Sequence, residues 1–313
     1  MSTILVTGGA GFIGSHLCES LLSLGHKVVC FDNLSTGSTY NISTLKQQKH
    51  FCFIKGDCNS LTDLRGVFKK DRFDYVFHYA AVVGVKRTLE HPLSVLQDYE
   101  GTKNVLMLCR KNDVKQIIYA SSSEVYGNSP QIPEREDGIL NPLQPYAVTK
   151  LMSEKLLDGY FKEHDMSTTA LRFFNVYGPK QNSTPYGFVI GIFIKQALAK
   201  QPLTVFGDGL QTRDFVYIQD NISATLKTIE NNKIKGKVIN IAGSNETKII
   251  DLAKKIIKLT STTSTVKLVS QKYYDIHRRC GSIEKMKELL NFVPQFSLEQ
   301  GLQETIKWYK ESL

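Results

Sequence analysis

The chain has 313 residues, 42% of them hydrophobic and 22% charged, which is ordinary for a soluble globular protein and enough for one large α/β domain with a smaller lobe. Its net charge of +9 is spread evenly, with no basic run longer than a pair such as Lys69-Lys70 and no nucleic-acid-binding signature, so the expected partner is an anionic small molecule and not a nucleic acid. No apolar run approaches the ~18 residues of a membrane span, no secretory signal opens the chain, and six scattered cysteines without a C-x-x-C pair point to reduced thiols in a cytoplasm and against a disulfide framework or a metal site.

In chain order, short β-rich runs at 3–8, 27–32, 51–56, 75–80 and 116–121 alternate with helical stretches at 15–24, 60–69 and 92–111. Continuous apolar strands separated by helices predict a parallel sheet covered on both faces. A long helical pattern runs from Tyr146 to about His164, followed by one strand, "TTALRFFNVYG". Beyond it the pattern is less regular. A helix is expected near 188–199, strands near 204–206 and 213–217, and helices near 219–230, 246–259, 283–291 and 297–311.

The first strand runs into "GGAGFIGSH", in which Gly8, Gly11 and Gly14 sit three apart around Phe12 and Ile13. A dinucleotide site needs a tight turn, a backbone without Cβ so that a pyrophosphate can approach, and a helix N-terminus with free N–H groups. Asp32 ends the second strand, roughly 20 residues on, where a carboxylate can accept both ribose hydroxyls of an adenosine. No arginine follows it directly to take a 2′-phosphate, which favours NAD over NADP. The expected class is α/β, a doubly wound parallel-sheet Rossmann domain over 1–173 and about 213–242, with a smaller α/β substrate-binding lobe over 174–212 and 243–313.

The fifth strand ends in "YASSSEVYG", with three hydroxyls (Ser121, Ser122, Ser123), a carboxylate (Glu124) and a tyrosine (Tyr126). Ligands of such folds bind at the carboxyl ends of parallel strands, so these groups are placed to face a substrate. "PYAVTK" puts Tyr146 and Lys150 four apart on one helical face. A lysine ammonium beside a phenol lowers its pKa and lets tyrosine act as a base near neutral pH.

Together, "TGGAGFIGSH", "FDNLSTG", "GDCNS", "HYAA", "ASSSEVYG", "PYAVTK", "RFFNVYGP", "GDGLQTRDFVYIQD" and "LEQGLQETIKWY" resemble the extended short-chain dehydrogenase/reductases, specifically the NAD-dependent nucleotide-sugar epimerases, dehydratases and decarboxylases. The resemblance covers essentially the whole chain. It implies that Asp32 and Asn33 hold the adenosine ribose, that Asp57 and Cys58 lie by the adenine, and that Lys150 also bonds the nicotinamide ribose. Tyr146 would take the proton of a sugar hydroxyl oriented by Ser122, with Ser123 beside it. Asn175 would contact the sugar diphosphate of a UDP-sugar, or else cap the turn before Tyr177-Gly178-Pro179. Arg213 would grip the pyrophosphate, with Lys272 helping, and His78 would pack at the cofactor floor. The resemblance also implies a homodimer through helices 92–111 and 146–163.

The step after oxidation of the sugar separates the branches. A C4 epimerase needs little beyond Ser122 and Tyr146. A 4,6-dehydratase needs an Asp-Glu pair where this chain has Ser123-Glu124. A UDP-glucuronate decarboxylase carries Ser-Glu there, and an arginine for the uronate carboxylate whose place falls on Arg279. The "NPLQPYAVTK" segment resembles the epimerases more, so a C4 epimerase acting on a UDP-hexose or UDP-uronate is expected first. "VVGVKRT" also puts Lys86 and Arg87 near where glucuronate epimerases carry an arginine. Two departures stand out: Asp98 replaces an asparagine usual in the helix after the fourth strand, and "QKYYDIHRR" has Lys272 and Tyr274 at the arginine and glycine of the usual R-x-G-D. A sensor that binds NAD without turnover is the alternative of a different class, and such proteins tend to lose the tyrosine or lysine kept here.

Overall fold

The computed structural model describes residues 1–83, 90–181, 188–270 and 276–312. Five parallel strands in the first half, β1 (Thr3–Thr7), β2 (Lys27–Asp32), β3 (Phe51–Lys55), β4 (Tyr75–His78) and β5 (Gln116–Ser122), are joined by β6 (Thr168–Phe173) and β10 (Lys237–Ile241). The order across this seven-stranded sheet is β3-β2-β1-β4-β5-β6-β10. Consecutive side chains point to opposite faces of a strand. Ile4, Val6, Val28 and Cys30 accordingly enter one core layer, while Leu5, Val29, Phe31 and Val76 enter the other. Burial on both faces is why these strands read as unbroken apolar runs rather than alternating ones.

The expected single strand over 168–178 is two. Through Phe173 the chain pairs with β5 and β10; at Phe174, whose ring is buried, it crosses over, and β7 (Asn175–Tyr177) pairs with β9 (Thr212–Tyr217) instead. The small lobe is built on the mixed sheet β11-β9-β7, with β11 at Glu246–Lys248, and on a parallel pair, β12 (Val266–Val269) with β8 (Leu203–Phe206). Of the returning segment 213–242, therefore, β9 lies in the small sheet and β10 in the large one. The helical stretch 92–111 is broken at Gln97 into Pro92–Leu96 and Asp98–Lys111.

Buried Asp214 ties the lobe to the rest of the chain. Its carboxylate accepts the backbone N–H groups of Gly243, Ser244 and Gly281 at 2.9, 3.2 and 3.1 Å. This holds the 279–282 segment against the large domain, where Gly281 bridges to Glu134. No helix among the described residues is long and apolar enough to cross a membrane.

Candidate active site

A cavity of about 760 Å³ opens at the carboxyl ends of β1, β2, β4 and β5. It lies where the strand order reverses between β1 and β4, the crevice in which doubly wound sheets bind ligands. Gly8, Gly11, Phe12, Ile13, Gly14, Asp32, Asn33, Asp57 and Cys58 line one end; Ser122, Ser123, Glu124, Tyr146, Lys150 and Asn175 line the other. The expected site residues thus converge on one cavity, with Arg213 and Arg279 apart from it and Lys272 outside the described residues.

At the first end the backbone makes the site. Gly8 has φ +68°, and a Cβ there would lie 2.7 Å from the Ala80 nitrogen. A Cβ on Gly14 would lie 2.2 Å from the Gly8 carbonyl oxygen, so only glycine lets the turn and helix approach. Gly11 differs, since its Cβ would meet only the Gly8 oxygen, at 3.1 Å, and its face opens to the cavity. The helix Phe12–Ser23 starts at Gly11 with no side-chain cap, which leaves its first N–H groups to a ligand. Asp32 accepts the N–H groups of Ala10 and Leu34 at 3.0 and 2.7 Å. Burial nonetheless pushes its carboxyl above the ordinary value. Asn33 Nδ2 donates to Asp57 at 3.0 Å, and the Cys58 carbonyl accepts from Asn104.

At the second end Ser122 and the Tyr146 phenol line the cavity together, and Ser122 Oγ accepts the Glu124 N–H at 3.2 Å. The Lys150 Nζ donates to the Ala120 carbonyl at 2.6 Å and stands 4.7 and 5.5 Å from the ring centroids of Tyr119 and Tyr146. Burial pulls Lys150 down to about 8, against the raising influence of Asp98 and Glu154. The expected lowering of the Tyr146 phenol is not met in this structure. Burial pushes it above the ordinary value, the Ser122 contact lowers it, and the Glu124 and Asp98 charges raise it further. The Lys150 Nζ stands over the Tyr146 ring and spends an N–H on the Ala120 carbonyl. His78 stays neutral: burial pulls it down to about 3, between Thr7 and Thr102 at 2.7 and 3.2 Å.

Beneath these groups lies a charged network that the sequence motifs do not announce. Arg172 donates to both Glu154 oxygens at 2.9 and 2.7 Å and to the Tyr126 hydroxyl at 2.8 Å, all buried. Ser121 Oγ donates to Glu154 at 2.5 Å, so this hydroxyl is committed to the network. Glu154 repeats the Tyr146–Lys150 spacing one turn on, and Arg172 is a charge inside an apolar strand; both were visible signals. Glu134 carried none, yet it is the nearest partner of Arg279.

Arg279, expected among the substrate-binding residues and, in a decarboxylase, at the uronate carboxylate, is instead 1% exposed and stands behind the cavity wall. Its Nη1 donates to Glu134 Oε1 at 2.6 Å, and its Nη2 is 3.6 Å from Glu124 Oε1. Arg213 also lies outside the cavity lining, and its guanidinium reaches the carbonyls of Thr212 and Ile276 at 2.6 and 2.8 Å. Asn175 Nδ2 donates to the Asp214 carbonyl at 2.8 Å while still lining the cavity. Lys272, Tyr274, Lys86 and Arg87 fall outside the described residues.

The model of the NAD dependent epimerase/dehydratase family matches residues 4–242. The chain belongs to that family. It is 37% identical to a UDP-N-acetyl-alpha-D-glucosaminuronate decarboxylase of Bacillus cytotoxicus over 98% of this chain and 97% of the relative. The UDP-glucuronic acid 4-epimerase of Bacillus cereus, solved with UDP-glucuronic acid and NAD, superposes with a TM-score of 0.91 at 36% identity over 99% of this chain and all of that one. The UDP-glucose 4-epimerase of Thermotoga maritima, solved with UDP-glucose, superposes with a TM-score of 0.94 at 31% identity over 99% of both chains. NAD is the cofactor of this family of enzymes, and the residues here fit it: the open face of Gly11, the uncapped helix and the carboxylate ending β2 meet at one end of the cavity.

Proposed function

We propose that the protein is an NAD-dependent UDP-sugar C4 epimerase working through a transient 4-keto sugar, with the glycine-rich turn, Asp32, Asn33, Asp57 and Cys58 on the cofactor and Asn175 toward the diphosphate. When bound there, NAD would supply the hydride chemistry at C4, by which the sugar is oxidised and then reduced on the other face of the ring. Tyr146 takes the C4 hydroxyl proton and gives it back, and Ser122 orients that hydroxyl. Lys150, still cationic at neutral pH with its pKa at about 8, supplies the positive charge that a buried phenolate needs.

One observation carries the choice within the family. Arg279, which a decarboxylase would turn to the uronate carboxylate, is engaged by Glu134 at 2.6 Å behind the wall, whereas the serine, tyrosine and lysine that suffice for epimerisation share the cavity. A second reading, decarboxylation of a UDP-uronate, is favoured by the 3.6 Å approach of Arg279 to Glu124 and by the decarboxylase among the relatives. Proton NMR of the protein with NAD and UDP-glucose, UDP-N-acetylglucosamine or UDP-glucuronate separates them. A galacto-configured anomeric signal with no other change supports the epimerase; loss of the carboxylate with a pentose product replaces it by the decarboxylase.

We also propose a homodimer, in a cytoplasm that keeps the six free thiols reduced. It rests on the expected pairing of helices 92–111 and 146–163, along which Leu93, Leu96, Met107 and Met152 are exposed. Light scattering should give twice the chain mass, and Met152→Lys should shift it toward the single chain.

A further inference from the structure

The cavity is short of positive charge for what it would hold. Among the described residues its lining carries four carboxylates, Asp32, Asp57, Asp98 and Glu124, against two ammonium groups, Lys150 and Lys180. Lys150 sits beneath Tyr146, with an N–H on the Ala120 carbonyl. The pyrophosphate of NAD has the glycine-rich turn and the uncapped start of the helix Phe12–Ser23 to meet it. The diphosphate of a UDP-sugar has only a neutral amide on its side, that of Asn175, and Arg213 lies outside the lining. Lys180 is the lining cation whose partner can be exchanged.

Lys180 is carried on the same segment as Asn175, and its backbone is pinned on both sides. The Pro179 carbonyl accepts the His16 Nε2–H at 2.9 Å. Gln181 Nε2 donates to the Val176 carbonyl at 2.8 Å, and the Gln181 carbonyl accepts the Tyr309 hydroxyl at 2.6 Å. Between these anchors Lys180 has φ +66°, in the left-handed region that a residue with a side chain rarely adopts. Strain held in this way fixes where one side chain starts from. The ammonium rests on Glu19 at 3.0 Å, two helical turns, about 10 Å, beyond the cavity-facing start of the helix at Phe12. Glu19 does not line the cavity, whereas Lys180 does. The pair is 20% and 50% exposed, and an ion pair so open to solvent contributes little stability. A diphosphate carries more charge than one carboxylate, and the flexible four-carbon stem of a lysine can turn from one to the other.

We propose that Lys180 is a substrate-binding residue, which leaves Glu19 to pair with the diphosphate of the UDP-sugar. The proposal rests on the UDP-sugar reading above and holds for an epimerase and a decarboxylase alike.

The test is calorimetric titration of UDP into the NAD-loaded protein, with NAD titrated separately. It compares the wild type, Lys180→Met, Glu19→Gln and the double variant, each first shown to be folded by thermal unfolding. Lys180→Met should weaken UDP binding about tenfold and leave NAD affinity unchanged. Glu19→Gln should tighten UDP binding by about twofold to fivefold, because the lysine loses a competing carboxylate. With Lys180→Met already present, Glu19→Gln should change nothing. A pair that merely braced the fold would give a loss of the same sign from either single substitution. UDP binding that is absent, unmoved by Lys180→Met, or not tightened by Glu19→Gln overturns the proposal, as does tightening by Glu19→Gln with the lysine gone. An equal loss of NAD affinity in Lys180→Met also overturns it, and would put the lysine on the cofactor's pyrophosphate. Proton NMR on the same samples keeps the two proposals apart. Epimerisation of UDP-glucose with a UDP affinity indifferent to Lys180 sinks this one alone, and a Lys180-dependent affinity without epimerisation sinks the epimerase reading alone.

Discussion

The two ends of the cavity are built on different principles. At the cofactor end the work is done by backbone and by partners close in sequence: Asp32 takes the N–H of Leu34 two residues on, Asp57 that of Asn59, and Gly14 leans on Gly8. At the sugar end the side chains are held by charges brought together from afar, Arg172 to Glu154 across 18 positions and Arg279 to Glu134 across 145. A site made of local turns fixes what it binds through the motif itself. A site made of distant charges leaves no such local record, and relatives at 31 to 37% identity to this chain include both epimerases and a decarboxylase.

The sharpest way to break this comparison is Tyr146→Phe. Removing the phenol takes away the proposed base, and turnover should fall by about a thousandfold, within the range typical of a positioned proton-transfer group. NAD binding, set at the other end, should not change. Parallel measurement of turnover and NAD titration checks both; substantial residual turnover would remove Tyr146 from its role, and unchanged behaviour throughout would mark a protein that binds NAD without turning anything over.

The next effect lies beneath the sugar end. Arg172→Met removes the cation hydrogen-bonded to both oxygens of buried Glu154, and breaking a buried pair in this way costs about 3–5 kcal/mol. Chemical denaturation should show that loss. Gly14→Ala strikes the cofactor end, where its Cβ would lie 2.2 Å from the Gly8 oxygen. Overpacking of this kind costs about 1–3 kcal/mol, and the displaced turn should weaken NAD binding about tenfold or more. If Gly14→Ala instead left NAD affinity intact and impaired only the sugar, the division between the two ends would not hold.

The same division decides what could be read from the sequence. The five strands of the first half, the turn after β1 and Asp32 were legible because each carries its signal within a few residues, an apolar run or a glycine spacing. The crossing at Phe174 was not. Residues 168–178 read as one continuous β-rich run, and only the pairing partners, β5 and β10 on one side and β9 on the other, divide them between two sheets. Arg279 was found by its place in a motif, but Glu134, which decides where its charge goes, sits in a polar turn with nothing local to single it out. Tyr146 and Lys150 were legible as a pair, while the sign of the phenol's displacement was not, because it depends on burial and on Glu124 and Asp98.

The smallest expected effect tests that last coupling. Asp98, in place of the family's usual asparagine, lines the cavity and accepts the Val82 N–H at 2.7 Å; burial pushes it up to about 6, against the lowering influence of that bond and of Lys150. Lys150 is at about 8, with Asp98 and Glu154 as the two carboxylates that raise it. Turnover needs the ammonium, so it should fall as pH rises through about 8. Asp98→Asn removes one of the two charges that hold the Lys150 proton, which moves this alkaline limb to lower pH, by less than about one unit for a partner without a direct contact. The same substitution relieves the upward push on Tyr146, so the maximum between the limbs should not fall. A pH profile of kcat/KM for both proteins measures the shift. A limb that moves upward or not at all would mean that Lys150 answers to Glu154 alone, and the sugar end would then be governed wholly by the buried network beneath it.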